Sequence, residues 1–360
     1  MKRTILAGAV LAAGLASAPA GAENVAISLQ LKWFPQAQFA GYFVAKDKGF
    51  YAEEGLDVTL LPIGDQSPIQ TVVSGAADFG TTWIADLLTA REKGLPLVHI
   101  AQIFQRSGFA MVALKATGLE DLCDLKGRSV GVWPSGNEYP AVALFRKCGL
   151  TSSLDPTVPN PDVTAVTYPF DPALVFPERV DLVSAMIYNE VDQIVGLGYD
   201  LDKLDVWLLP DAGINLLEDL IFTTEQVLAA EDYKGSGLSG REIAARLVRA
   251  TLRGWDWAVA NQEETVEKSV LPVCGNTCAG SGTRSDPRSH QMWQMQEIAK
   301  LYMAGATERG CPGFLDPAAY EASVQLLLDQ KILSKAPDEG TVDYGPWQAA
   351  TGKTVDQCRS

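Results

Sequence analysis

Between Ile27 and Leu61 the chain switches its hydrophobic period twice. Ile27 to Leu31 alternates apolar and polar residues, the period-2 signature of a strand. Phe39, Tyr42 and Phe43 then fall at helical spacing, and Gly49 supplies a helix stop. Pro35 has no backbone donor, which a helix can spare in its first turn. Val58 to Leu61, ended by Pro62, is a second apolar strand. Strand, helix and strand in this order imply a right-handed crossover in a largely parallel sheet. The turn Trp33-Phe34-Pro35-Gln36 then lies at the carboxyl end of a strand, where open α/β sheets bind small ligands.

The same alternation continues. Pro68 to Val73 and Ile84 to Glu92 read as helices stopped by Gly75 and Gly94, and Asp78 to Thr82 and Leu97 to Phe104 read as strands. Phe109 to Leu114 reads as the first crossing to a second lobe. There, Arg128 to Trp133, Val163 to Thr167, Leu182 to Ile187 and Asp205 to Leu209 are strands. Glu138 to Cys148 is a helix, Tyr188 begins another, and Asp219 to Phe222 returns to the first lobe. Arg241 to Ala260, Gln294 to Met303 and Pro317 to Leu328 are amphipathic helices, and Asn276 to Arg288 is a Gly- and Ser-rich exposed loop. The expected fold class is α/β, with lobe 1 at 23–112 plus 215–360 and lobe 2 at 113–214. The C-terminal helices should buttress lobe 1.

Lys2 and Arg3, the apolar stretch Ile5 to Ala18 and the small-residue site Ala20-Gly21-Ala22 make residues 1–22 an expected secretory leader. No cysteine sits at the cleavage site, so a lipid anchor is not expected. The formal charge is −15; without Lys2 and Arg3 it is −15 − 2 = −17, which argues against nucleic acid and anionic lipid as partners. Six cysteines in an oxidising compartment favour disulfides. Cys274 and Cys278 should pair across a turn; Cys123–Cys148 is a candidate within lobe 2, leaving Cys311 and Cys358. The C-x-x-x-C spacing lacks a nearby histidine or second cysteine pair to complete a metal site.

Four strand-to-helix junctions concentrate aromatic and hydrogen-bonding residues: Trp33 to Gln38, Thr81 to Trp83, Trp133 to Tyr139 and Tyr188 to Glu190. With parallel strands, all four should face one cleft between the lobes. Trp33, Trp83, Trp133 and Tyr188 are candidate stacking walls; core packing is the competing reading for each. Gly136 allows an unusual backbone angle, and Asn137 is a candidate helix cap beside Glu138 and Tyr139. Gln38, Asn189 and Glu190 add amides and a carboxylate able to pair with a ligand's hydrogen-bonding edge. The two histidines, His99 and His290, lie in no recognisable catalytic pattern, and no phosphate loop or dinucleotide fingerprint is present.

Trp33, Pro35 and Gly41, then Lys48-Gly49-Phe50-Tyr51 and Glu53-Glu54-Gly55-Leu56-Asp57-Val58, resemble the opening of periplasmic solute-binding proteins in the branch that binds thiamine-pyrimidine precursors. Asp124-Leu125-Lys126-Gly127 before Val130-Gly131-Val132 is similar to that family's opening of lobe 2, and Gly136-Asn137-Glu138 is compatible with its ligand loop. The resemblance implies a type II periplasmic-binding-protein architecture. It also implies a monomeric periplasmic protein that captures a small planar heterocycle such as hydroxymethylpyrimidine or formylaminopyrimidine by lobe closure and delivers it to an ABC permease with a cytoplasmic ATPase. No cofactor is expected. Riboflavin, sulfonates and other nutrients are alternatives, as is a receptor feeding a sensor. The related thiamine-pyrimidine synthase, which makes its product from histidine and pyridoxal phosphate, is the enzymatic alternative. It carries a histidine in an Ala-Gln-His-Ala stretch where this chain has Ala37-Gln38-Phe39-Ala40, and its Cys-rich motif is absent.

Overall fold

The computed structural model describes residues 23–279 and 286–360. The expected leader, residues 1–22, and the middle of the expected 276–288 loop lie outside the described residues. The strands are β1 (Val25–Gln30), β2 (Leu56–Leu61), β3 (Phe79–Thr82), β4 (Leu97–Gln102), β5 (Phe109–Leu114), β6 (Ser129–Val132), β7 (Thr164–Thr167), β8 (Leu182–Met186), β9 (Leu204–Leu208) and β10 (Leu220–Thr224). They form two five-stranded sheets, ordered β2-β1-β3-β10-β4 and β7-β6-β8-β5-β9. In the first, Ile27 faces Val58 and Leu29 faces Leu60 in parallel register, so the period-2 pattern of β1 buries Ile27 and Leu29.

Both sheets are mixed, where the sequence suggested mainly parallel ones. β10 runs antiparallel to β3 and β4, and β5 runs antiparallel to β8 and β9. The reason is topological. Each of these strands follows a crossing between lobes, so it starts at the cleft edge where its neighbours end. The expected boundary at 112/113 cuts through β5, all of which pairs in the second sheet. The crossing therefore precedes Phe109. The two crossings are laced together: the Ile103 N–H donates to the Asp219 carbonyl at 3.2 Å, and Glu218 accepts from the Ser107 hydroxyl and from the Gly108 N–H at 2.9 Å.

The helix expected from Pro35 begins later. A 3-10 turn at Ala37–Phe39 leads into the α-helix Ala40–Asp47, while Pro35 stays in the irregular turn before it. Gly49 ends that helix at φ 77°, a left-handed conformation that glycine adopts without steric cost. Helix Ala40–Asp47 packs on the long helix Gly240–Ala260 at very close range. A Cβ built on Gly254 would lie 2.1 Å from the Gly41 carbonyl oxygen, and one on Gly41 would strike the Trp255 ring. Helix Pro287–Met303 starts seven residues earlier than the apolar pattern indicated, because Asp286 caps it by accepting from the Ser289 N–H at 3.0 Å.

Three disulfides close the chain on itself. Cys123–Cys148 ties the approach to β6 to the helix Tyr139–Lys147, Cys274–Cys278 clamps a tight turn, and Cys311–Cys358 anchors the last helix. Among the described residues no helix is long and apolar enough to cross a membrane.

Candidate functional site

All four junctions converge. Trp33, Gln38, Trp83, Trp133, Asn137, Tyr188, Asn189 and Glu190 line one cavity between the sheets, with about 390 Å³ of atom-free space. Each loop follows a strand directly: Trp33 follows β1, Trp83 β3, Trp133 β6 and Tyr188 β8. Glu138 and Tyr139 do not reach this cavity. They line the wider outer cleft of about 1500 Å³, which shares Lys32, Trp33 and Asn137 with the deep end.

The aromatic walls are braced from behind. Phe109 of β5 meets the edges of both Trp83 and Trp133, at centroid separations of 6.4 and 5.5 Å. Phe104 braces Tyr188 at 6.2 Å. Such edge-to-face contacts fix ring planes while leaving the opposite faces open to a planar guest. Trp83 and Trp133 are therefore at once core residues and cavity walls. Lys32 lies 4.6 Å from the centre of the Trp83 ring and is paired with Asp86, which also accepts from the Thr82 hydroxyl.

Two buried atoms at the cavity residues have no protein partner: the Trp83 indole Nε1 and the Asn137 Oδ1. One is a donor and the other an acceptor, and leaving either unsatisfied out of water is costly. Several other polar atoms there are committed to the protein. Asn137 does not cap the following helix; its Nδ2 donates to the Pro134 carbonyl at 3.1 Å. Residue 138 occupies the cap position, and its carboxylate instead accepts from the Gly136 N–H at 2.8 Å. Gly136 has φ 97°, and a Cβ there would lie 2.3 Å from an Asp86 carboxylate oxygen. The loop needs glycine for both reasons.

Glu190 is held in place by its own turn. Its Oε2 accepts from the Met186 N–H at 2.8 Å and its Oε1 from the Asn189 amide at 2.6 Å. It organises the Tyr188–Glu190 turn and keeps a second lone pair on each oxygen while lining the cavity. Burial, opposed by those hydrogen bonds, pushes its pKa up to about 7. Burial likewise raises Asp219 to about 7 and Glu218 to about 8.

Sequence reasoning passed over Lys32, Gln36 and Met186, which also line the cavity. Gln36 sits inside the Trp33–Gln38 junction and Lys32 directly precedes it, so reading every polar residue of that loop would have found both. Gln291 and Gln294 gave no local signal. Gln291 accepts from the Ala37 N–H and donates to the Cys278 carbonyl, which braces the Trp33–Gln38 loop against the disulfide turn. Thr277 adds a 2.7 Å bond to the Pro35 carbonyl.

Known proteins give this geometry a context. The chain is 29% identical to a riboflavin-binding protein of Chloroflexus aurantiacus, over 68% of this chain and 65% of that protein. It is 25% identical to a formylaminopyrimidine-binding protein of Halalkalibacterium halodurans, over 67% and 68% of the two chains. A 4-amino-5-hydroxymethyl-2-methylpyrimidine phosphate synthase of Legionella pneumophila matches at 26% over 48% of this chain and 57% of its own. Among solved structures, a protein from Bordetella bronchiseptica superposes with TM-score 0.65 at 16% identity, covering 91% of this chain and 98% of that one. A Candida albicans protein with the generic periplasmic binding protein fold gives TM-score 0.56 at 14% identity, covering 93% and 96%. These likenesses establish the two-lobed binding-protein fold. Residues 36–265, well over half of the chain, match the family described as NMT1/THI5 like, and the chain belongs to that family.

Proposed function

We propose that the protein is the extracytoplasmic solute-binding component of an ABC importer, and that it captures a small planar nitrogen heterocycle without altering it. The observation that carries this reading is the convergence of four strand-end loops, from both lobes, on a cavity with aromatic walls and an unpaired donor and acceptor. A flat ring can stack there while offering an acceptor to Trp83 Nε1 and a donor to Asn137 Oδ1. The two laced crossings provide a hinge, so ligand contacts made by both lobes would favour the closed arrangement that a permease could recognise. The names of the riboflavin- and formylaminopyrimidine-binding relatives support this ligand class.

The enzymatic alternative has weaker support. Phe39, which stands where the synthase-like pattern has histidine, is fully buried in the core, and the cavity lining contains no histidine. Calorimetry on the purified protein with riboflavin, formylaminopyrimidine, 4-amino-5-hydroxymethyl-2-methylpyrimidine and an alkanesulfonate tests the proposal. One heterocycle should bind reversibly and be recovered with unchanged mass. Failure of every heterocycle to bind, or recovery of a converted product, would overturn it.

A further inference from the structure

The helix Pro287–Met303 lies outside the segment matched by the family, yet its polar face joins both halves of the site. An unbroken chain of side-chain amides runs along it. Gln38 Nε2 donates to Asp219 at 3.0 Å, and Gln36 Nε2 donates to Gln38 Oε1 at 2.9 Å. Gln294 Nε2 donates to Gln36 Oε1 at 3.2 Å and to Asn189 Oδ1 at 2.7 Å. Asn189 Nδ2 then donates to Glu190 at 2.6 Å.

The directions in this chain are interdependent. At each end a carboxyl oxygen accepts, with the amide nitrogens of Gln38 and Asn189 turned toward Asp219 and Glu190. Their oxygens therefore face inward along the chain, and the centre must supply donors both ways. Gln294 does so with the two hydrogens of one amide nitrogen. His290 completes the pattern. An amide oxygen can only accept, so the 3.0 Å contact from His290 Nε2 to Asn189 Oδ1 is a donation by the ring; the same ring nitrogen lies 3.1 Å from Gln294 Nε2. His290 Nδ1 faces Asp192 at 2.6 Å. Gln36, Gln38 and Asn189 all line the cavity, while Gln294 and His290 stand behind them.

We propose that Gln294, supported by His290, is a positioning residue: it fixes the amide orientations of Gln36, Gln38 and Asn189, and so the pattern of donors and acceptors the cavity presents. The proposal rests on the binding reading above and names the element that sets its specificity. Gln294 also carries the chain from the lobe 1 loop to the lobe 2 loop, so the two loops are oriented as one unit.

The test compares the full protein with Gln294→Leu, which removes the central donor, and Gln294→Glu, which replaces it with an acceptor. Riboflavin and 4-amino-5-hydroxymethyl-2-methylpyrimidine are the calorimetric probes. Gln294→Leu should weaken the bound probe on the order of tenfold, the effect of losing about one oriented hydrogen bond. Gln294→Glu should change the ratio of affinities for the two probes, which a merely structural role would not do. Binding by Gln294→Leu within twofold of the parent, or losses that only follow lower ligand-free stability, would overturn the proposal. If the parent binds neither probe, the binding reading fails, and the amide chain is judged on ligand-free protein. Side-chain amide NMR signals of Gln36, Gln38 and Asn189, assigned by single substitutions, should all move in Gln294→Leu. Unmoved signals would reject the chain.

Discussion

Trp83 has an indole donor with no partner in the protein, on a ring that packs against Phe109 and lines the cavity. This combination separates stability from binding. Trp83→Phe keeps a ring against Phe109 and deletes only the unpaired donor and part of the wall. Ligand-free stability should change by less than about 1 kcal/mol, since removing an unsatisfied donor offsets some lost packing. Affinity should fall by about 1–2 kcal/mol in calorimetry if a ligand acceptor meets the indole. Gly136 couples the same properties differently. Gly136→Ala must accommodate φ 97° and a Cβ pressed onto Asp86, the partner of Lys32. It should lower affinity at least severalfold, and loss of the Lys32–Asp86 contact should be visible in a crystal structure of the variant.

Secondary elements carry their own prediction at the contact of helices Ala40–Asp47 and Gly240–Ala260. Gly254→Ala would place a methyl group 2.1 Å from the Gly41 oxygen, so the helices must separate or bend. Overpacking of this kind costs about 3 kcal/mol, and a drop in the urea midpoint at unchanged slope would report it. At this scale the sequence was highly legible. Helices Pro68–Val73 and Ile84–Glu92 end where Gly75 and Gly94 indicated, because turn chemistry is local. The junctions that line the cavity were legible for the same reason, as a strand's end and a helix's start are both written in neighbouring residues. The direction of β5 and β10 was not, since it depends on which lobe the chain comes from. Nor were the roles of Glu190 and Gln294. Glu190 was visible as a polar residue at a junction, but only the fold shows that Met186 and Asn189 claim both its oxygens. Gln294 lies 258 residues from Gln36 and 105 from Asn189, beyond the reach of any pattern of spacing.

For the whole molecule, three buried carboxyl groups at the crossings and the cavity tie stability to pH. Burial holds Glu190 and Asp219 near 7 and Glu218 near 8, all above their unfolded values. Each keeps its proton in the folded state where the unfolded chain has released it. Their contribution is complete below about pH 4, where the unfolded carboxyls are protonated too, and is lost progressively as pH rises from there to between 7 and 8. His99 acts oppositely: burial lowers it to about 3, so it favours the folded state as pH rises toward 6.5 and then falls silent. Above about pH 6.5 only the carboxyl effect remains among these four groups. The denaturation midpoint should therefore fall between pH 6.5 and 8.5, and Glu218→Gln should flatten that slope. An increase in the midpoint over the same range would contradict the assignment. The placement of Gln294 has a temporal consequence as well. Ribosomes make the two sheets first, and the helix bearing this glutamine emerges after every strand of both. A partly synthesised chain can thus contain all four aromatic residues and still lack both Gln294 and the Gln291 brace of the Trp33 loop. On the proposed function, ligand selection would then wait on the last-made part of the chain, and prematurely terminated products would lack it.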